Sequence, residues 1–327
     1  MVNHIIRRII YMIPTLIIIS MVSFVIIQLP PGDYLTTKIA QLEAQDELVN
    51  RDLIEALREE YGLDKPLHVQ YAKWMWNVLQ GEFGYSWEWN RPVVDVIGDQ
   101  ILLTAVVSFA SLLLVYLIAI PIGIYSATNQ YSTGDHVFTF LGFLGLTTPN
   151  FLLAIVLLYV GYSFFDMSFI GLFSPEFENA PWSAAKVVDL LTHIWIPVMV
   201  ISVSSVAGHI RVMRGNLLDE LKKQYVVTAR AKGLAETKLL LKYPVRMAVN
   251  PMISGLSVLL PHLVSGATIT AVVLSLPTTG PMLLGALRSQ DVYLSGAFIL
   301  LLSTLTVIST LLSDILLAWV DPRIRFE

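Results

Sequence analysis

Cysteine is absent from the 327-residue chain, which excludes disulfides, thiolate metal sites and cysteine nucleophiles. Charge is scarce. Only 14% of residues are Asp, Glu, Lys or Arg, against about 25% in soluble domains. The net charge of −4 gives no footprint for nucleic acid. No G-x-x-x-x-G-K-[ST] run occurs, so nothing here cradles nucleotide phosphates in a P-loop. H-E-x-x-H and G-x-S-x-G are missing too. The six histidines, His4, His68, His136, His193, His209 and His262, follow no ligand spacing and read as packing or interface residues. The chain is expected to hold no metal, no catalytic set and no cofactor of its own. Tandem repeats and low-complexity tracts are also absent.

What remains is apolar. Hydrophobic residues make up 55% of the chain and the mean hydropathy is +0.67. Six long runs stand out, at about Ile9–Gln28, Gln100–Tyr125, Val137–Phe165, Ile194–Ile210, Met247–Leu274 and Leu294–Val320. About 20 residues of helix cross a bilayer core, and lipid cannot satisfy an open backbone. The expectation is an all-α membrane protein of six transmembrane helices. The first run follows Arg7-Arg8 and ends in Gln28-Leu29-Pro30-Pro31-Gly32-Asp33 instead of a small-residue cleavage site, so it reads as a retained span. Thirteen of the 21 Lys and Arg residues fall in Arg7-Arg8, in Arg211–Arg246 and in Arg323 and Arg325. That asymmetry puts both termini and the Arg211–Arg246 loop in the cytoplasm. The chain then divides into residues 1–28 (N-terminus and first span), an external segment 29–99 and a five-helix region 100–327.

In the external segment, Thr36–Tyr61 has an amphipathic helical pattern closed by Gly62. After Lys65-Pro66, His68–Leu79 suggests a second amphipathic helix. Trp74, Trp76, Trp87 and Trp89 read as an aromatic belt at the membrane surface, or alternatively as a docking or sugar-stacking platform.

The spans are nearly free of charge, although coupled carriers usually place ionisable groups inside the membrane. Asp314 lies inside the last run, toward its cytoplasmic end, and reads as a polar helix-end contact or a relay. His262, beside Pro261, is the other candidate for lining a translocation path. Arg211–Arg246 carries nine Lys or Arg. Asp219 and Glu220 would favour a helix start there, continuing through Gln224–Ala231. Gly233 would end that helix in a left-handed conformation. Ala235-Glu236-Thr237 would restart one, made apolar by Leu239, Leu240 and Leu241 and ended by Pro244. Two short helices at a glycine elbow suit close docking of another protein. A basic loop that merely obeys the positive-inside rule is the plainer alternative.

Thr228-Ala229-Arg230-Ala231-Lys232-Gly233-Leu234, with Asn250-Pro251 downstream, resembles the cytoplasmic loop of binding-protein-dependent ABC importer permeases, most closely the oligopeptide/dipeptide/nickel branch. Arg7-Arg8, Pro31-Gly32-Asp33, Tyr61-Gly62-Leu63-Asp64-Lys65-Pro66, Gly81-Glu82-Phe83-Gly84-Tyr85-Ser86, Thr148-Pro149-Asn150-Phe151 and Asp321-Pro322-Arg323-Ile324-Arg325 support the resemblance across the whole chain. It implies a type I ABC importer permease fold in a bacterial or archaeal cytoplasmic membrane. The implied partners are a second homologous permease, two ABC ATPases that carry the ATP and Mg, and an extracytoplasmic solute-binding protein. It also implies that Tyr225 and Thr228–Leu234 form the ATPase-coupling loop. The wider superfamily places Glu-Ala-Ala where this chain has Val227-Thr228-Ala229, so no contact by that glutamate carries over. The implied solutes are oligopeptides, oligosaccharides or metal chelates. The rival expectation is a secondary carrier or channel not coupled to ATP. Against it stand the uncharged spans and the lack of a doubled helix set.

Overall fold

The computed structural model describes residues 2–27, 65–86, 88–166, 169–178, 180–265 and 267–320. The expected helix Thr36–Tyr61, Gly62, Trp87, and the Asp321–Arg325 ending lie outside them. The described chain is almost wholly helical. In order, the elements are α1 (Val2–Ile27), α2 (Leu67–Leu79), β1 (Tyr85–Ser86), β2 (Arg91–Pro92), α3 (Val93–Thr128), α4 (Thr133–Thr147), α5 (Asn150–Phe165), α6 (Ala184–His193) and α7 (Trp195–Leu221). They continue with α8 (Gln224–Ala231), α9 (Glu236–Lys242), α10 (Pro244–Ala248), α11 (Asn250–Ser254), α12 (Leu256–Ser265), α13 (Thr268–Val273), α14 (Thr279–Arg288) and α15 (Val292–Val320).

Among the described residues, four helical stretches are long and apolar enough to cross a membrane: α3, α7, Leu256–Val273 and α15 as far as Leu317. The run expected as one span at Val137–Phe165 is two helices, α4 and α5, bent by 101°. Counted as one broken span, this pair makes a fifth. The cause is Pro149, which lacks an N–H and keeps Thr148 extended at φ −85°, ψ 119°. The apolar part of α1, Ile10–Val25, is shorter.

The chain forms two compact units. One comprises Thr104–Pro277 with the chain from Leu305, and the other Val2–Leu103 with Thr278–Thr304. In the first, α4 and α5 pack on α7, and α10 and α11 pack on α7 as well. A core of Ala119, Ala127, Met213, Leu217, Ala248 and Met252 joins α3, α7, α10 and α11. Gly123 permits this approach, because a Cβ there would lie 2.6 Å from the Met213 Cβ. The Tyr116 hydroxyl donates to the Met252 carbonyl (2.9 Å) and Ser313 Oγ to the Ile253 carbonyl (2.8 Å), tying α3 and α15 to the broken α11–α12 backbone.

In the second unit Trp74 and Trp89 depart from an aromatic belt. Trp74 is 2% exposed. It stacks on Phe24 (ring centroids 5.8 Å apart), stands near Tyr71 and donates its indole N–H to the Phe83 carbonyl at 3.2 Å. Trp89 is half-buried against the core of Val93, Val96 and Phe298, and among the described tryptophans of this unit Trp76 is the widely exposed one. The β1–β2 hairpin is held by Asp291. This carboxylate accepts from Ser86 Oγ (2.7 Å) and Glu88 N (3.3 Å) and caps α15 through Leu294 N (3.1 Å).

Candidate functional site

The basic segment starts later than its charge suggests. Arg211 and Arg214 belong to α7, which runs unbroken to Leu221. Asp219 and Glu220 therefore sit in its last turn and do not open a helix, so their charge opposes the macrodipole. The chain breaks at Lys222-Lys223, and α8 begins with Gln224. The apolar face of α7 overrides the capping preference, because Met213 and Leu217 are fully buried one turn apart.

Gly233 takes φ +75°. Its N–H bonds to the Arg230 carbonyl (3.0 Å) and the Leu234 N–H to the Ala229 carbonyl (3.4 Å). These two bonds form a Schellman stop. Nothing lies within 4 Å of the place a Cβ would occupy at Gly233, so glycine is required by backbone conformation and not by crowding. Beyond the elbow α9 runs to Lys242, and buried Pro244 opens α10.

Val226 anchors α8 and Leu239 anchors α9, each fully buried. Leu240 and Val245 pack on the core beneath. Of the three leucines expected to meet a partner or lipid, only Leu241 is exposed. Tyr225, Thr228, Arg230, Ala231, Lys232 and Gly233 are exposed, while Ala229 and Leu234 are half-buried. The Tyr225 hydroxyl donates to Glu220 Oε2 at 2.6 Å, and Thr228 Oγ1 donates to the Gln224 carbonyl. Partial burial, with the Glu220 carboxylate beside it, pushes the Tyr225 phenol above its ordinary range. Arg230 donates Nε and Nη2 to the two Glu236 carboxylate oxygens, at 3.1 and 2.5 Å. The pair raises the arginine and lowers the glutamate.

His262 is exposed on α12, and Asp314 is half-buried on α15. Neither belongs to the elbow. A further polar feature, not anticipated from sequence, is Asp135 at the start of α4. It accepts both Nε and Nη2 of Arg214 at 2.9 Å and also the Tyr131 N–H. Its own N–H donates to the Ser132 hydroxyl that caps α4. The signal was present as Ser132-x-x-Asp135, a capping-box spacing. Arg211 lies over the Phe143 ring, 4.9 Å from its centre. On the α5–α6 connection, a cleft of about 360 Å³ is lined by Leu172, Phe173, Ser174, Glu178, His193 and Ser275 among others.

Residues 119–326 match the family described as "Binding-protein-dependent transport system inner membrane component", and residues 1–110 match "Binding-prot-dependent transport system membrane comp, N-term". The chain is similar to the oligopeptide transport system permease protein AppB of Bacillus subtilis (strain 168), 33% identical over 330 residues and spanning the full length of both. It is 32% identical to the peptidoglycan transport system permease protein YejB of Agrobacterium fabrum, over 99% of this chain and 98% of that one. The glutathione transport system permease protein GsiC of Salmonella choleraesuis is 30% identical over the full length of both chains. With this match along its whole length and its set of apolar helices, the chain belongs to the binding-protein-dependent transport system inner membrane component family, the inner-membrane permeases of ABC importers.

Proposed function

We propose that this chain is one of two homologous permeases of an importer for oligopeptide-class solutes. It crosses the bacterial cytoplasmic membrane six times with both termini inside. Two partner ATPases supply ATP and Mg chemistry, and an extracytoplasmic binding protein delivers the solute. The relatives named for oligopeptide, peptidoglycan and glutathione transport support a peptide-like solute over a simple sugar.

The observation that carries the coupling role is the elbow. Two short helices meet at Gly233 with Tyr225, Thr228 and Arg230–Gly233 outward, while Val226 and Leu239 are fully buried and Leu240 of α9 packs against the core shared by α3, α7, α10 and α11. A force on α8 and α9 is thereby delivered to α7 and α3 through packed side chains. Closure of the ATPases on ATP would press this surface and favour one of two arrangements of the helices, and hydrolysis would release it. The coupling is a difference in affinity between two states.

The test is purification of the tagged chain from its own membrane in mild detergent, followed by mass spectrometry. A second permease and ATPases are expected with it. Ala229→Glu, which puts a charge where a partner packs, is expected to keep the second permease and lose the ATPases. Retention of the ATPases by that variant would overturn the docking assignment. Recovery of the wild-type chain alone in several detergents would overturn the assembly.

A further inference from the structure

Residues six apart are not neighbours on a continuous helix. At about 100° per residue they lie some 240° apart around the axis, and only i+3 and i+4 meet. Arg230 and Glu236 nevertheless make two hydrogen bonds, because the elbow at Gly233 folds α9 back toward the end of α8. The contact exists in the bent geometry and would be lost if the segment straightened. The helices it joins have 8 and 7 residues, below the roughly 12–15 at which an isolated helix becomes stable. Each has one fully buried side chain, Val226 in α8 and Leu239 in α9, and α9 adds Leu240 against the core. Breaks at Lys222-Lys223 and at Tyr243 isolate the pair of helices on either side. The backbone at Gly233 is compatible with other angles, since glycine there is uncrowded. A two-pronged guanidinium–carboxylate pair is directional and fixes both separation and angle.

We propose that the Arg230–Glu236 pair is a clamp that sets the angle between the two docking helices, with Glu236 as a positioning residue for the ATPase-facing surface. This rests on the reading of that surface as the ATPase dock. It assigns a role to a glutamate lying after the elbow glycine, in a chain whose positions before it hold Val227 and Thr228.

The absence of cysteine permits a direct measurement. Val227→Cys and Lys238→Cys, spin-labelled in the purified complex, report the distance across the elbow. A narrow distribution is expected with the native pair. Glu236→Gln and Arg230→Lys, the latter keeping the charge but losing the fork, are expected to broaden it. In the unlabelled complex Glu236→Gln should lower ATPase retention about threefold, the effect of an ordinary exposed ion pair. The exchange Arg230→Glu with Glu236→Arg should restore the narrow distribution. An unchanged distribution in Glu236→Gln, while Ala229→Glu still releases the ATPases, would overturn the clamp and leave the dock standing. Failure of Ala229→Glu to release them would overturn the dock itself.

Discussion

Asp189 shows how a single carboxylate organises a connection outside the membrane spans. Burial works to raise it. That effect is outweighed by the Ser174 hydroxyl, which donates to Oδ1 at 2.6 Å, by the Ser174 N–H, which donates to Oδ2 at 2.8 Å, and by the nearby His193 ring. The carboxyl therefore lies below its ordinary range. A carboxylate lowered by folding stabilises the fold fully above its unfolded value and loses that contribution as pH falls through the folded one. Amide protection factors in residues 170–178, taken against the intrinsic exchange rate at each pH, should accordingly fall in acid, below the usual carboxylate range. Asp189→Asn should show the lower protection already at neutral pH and little further change in acid. Neighbouring Lys186 is buried and donates to the Glu178 and Ala180 carbonyls beside the Phe173 ring. Neither residue stands out in the sequence, since Asp189 and Ser174 are 15 positions apart and only the folded connection joins them.

Between elements, the Asp135–Arg214 pair fastens the start of α4 to the C-terminal half of α7. Its two bonds of 2.9 Å bury the carboxylate almost completely and leave the arginine 27% exposed. Removing one partner strands the other. Asp135→Asn should lower stability by about 3 kcal/mol, the low end for breaking a buried pair, because Arg214 keeps a route to water. Replacing both residues with apolar ones of similar size should cost less than either single change. Thermal unfolding in detergent, comparing the two single variants with the double, checks this. At the same scale the apolar periodicity identified most helices, and Gly233 and Pro244 marked the limits of α8 and α9 correctly. The size of the bend at Pro149 and the extension of α7 to Leu221 are not legible in the sequence. A run of apolar residues does not say whether a proline will kink or split it, and burial of Met213 and Leu217 overrode the charges at Asp219 and Glu220.

For the whole molecule, sidedness is open to the same cysteine-free chemistry. Cysteine placed singly at Tyr225 should react with an impermeant maleimide only after the membrane is opened. Cysteine at Glu178 should react from outside on intact cells. Reaction of both from one side would refute the proposed orientation. The amino-acid sequence by itself determined that this chain is a helical membrane protein, which family it resembles and where its elbow glycine lies. Those features rest on composition, period and local backbone preference, all of which act within a few residues. Tertiary structure alone decided that Trp74 is core and not a membrane belt, that Asp135 closes on Arg214, that Glu236 closes on Arg230, and which of three adjacent leucines faces out. Each of these depends on which surfaces the packed helices remove from water, and a short stretch of sequence carries no record of what its side chains will meet.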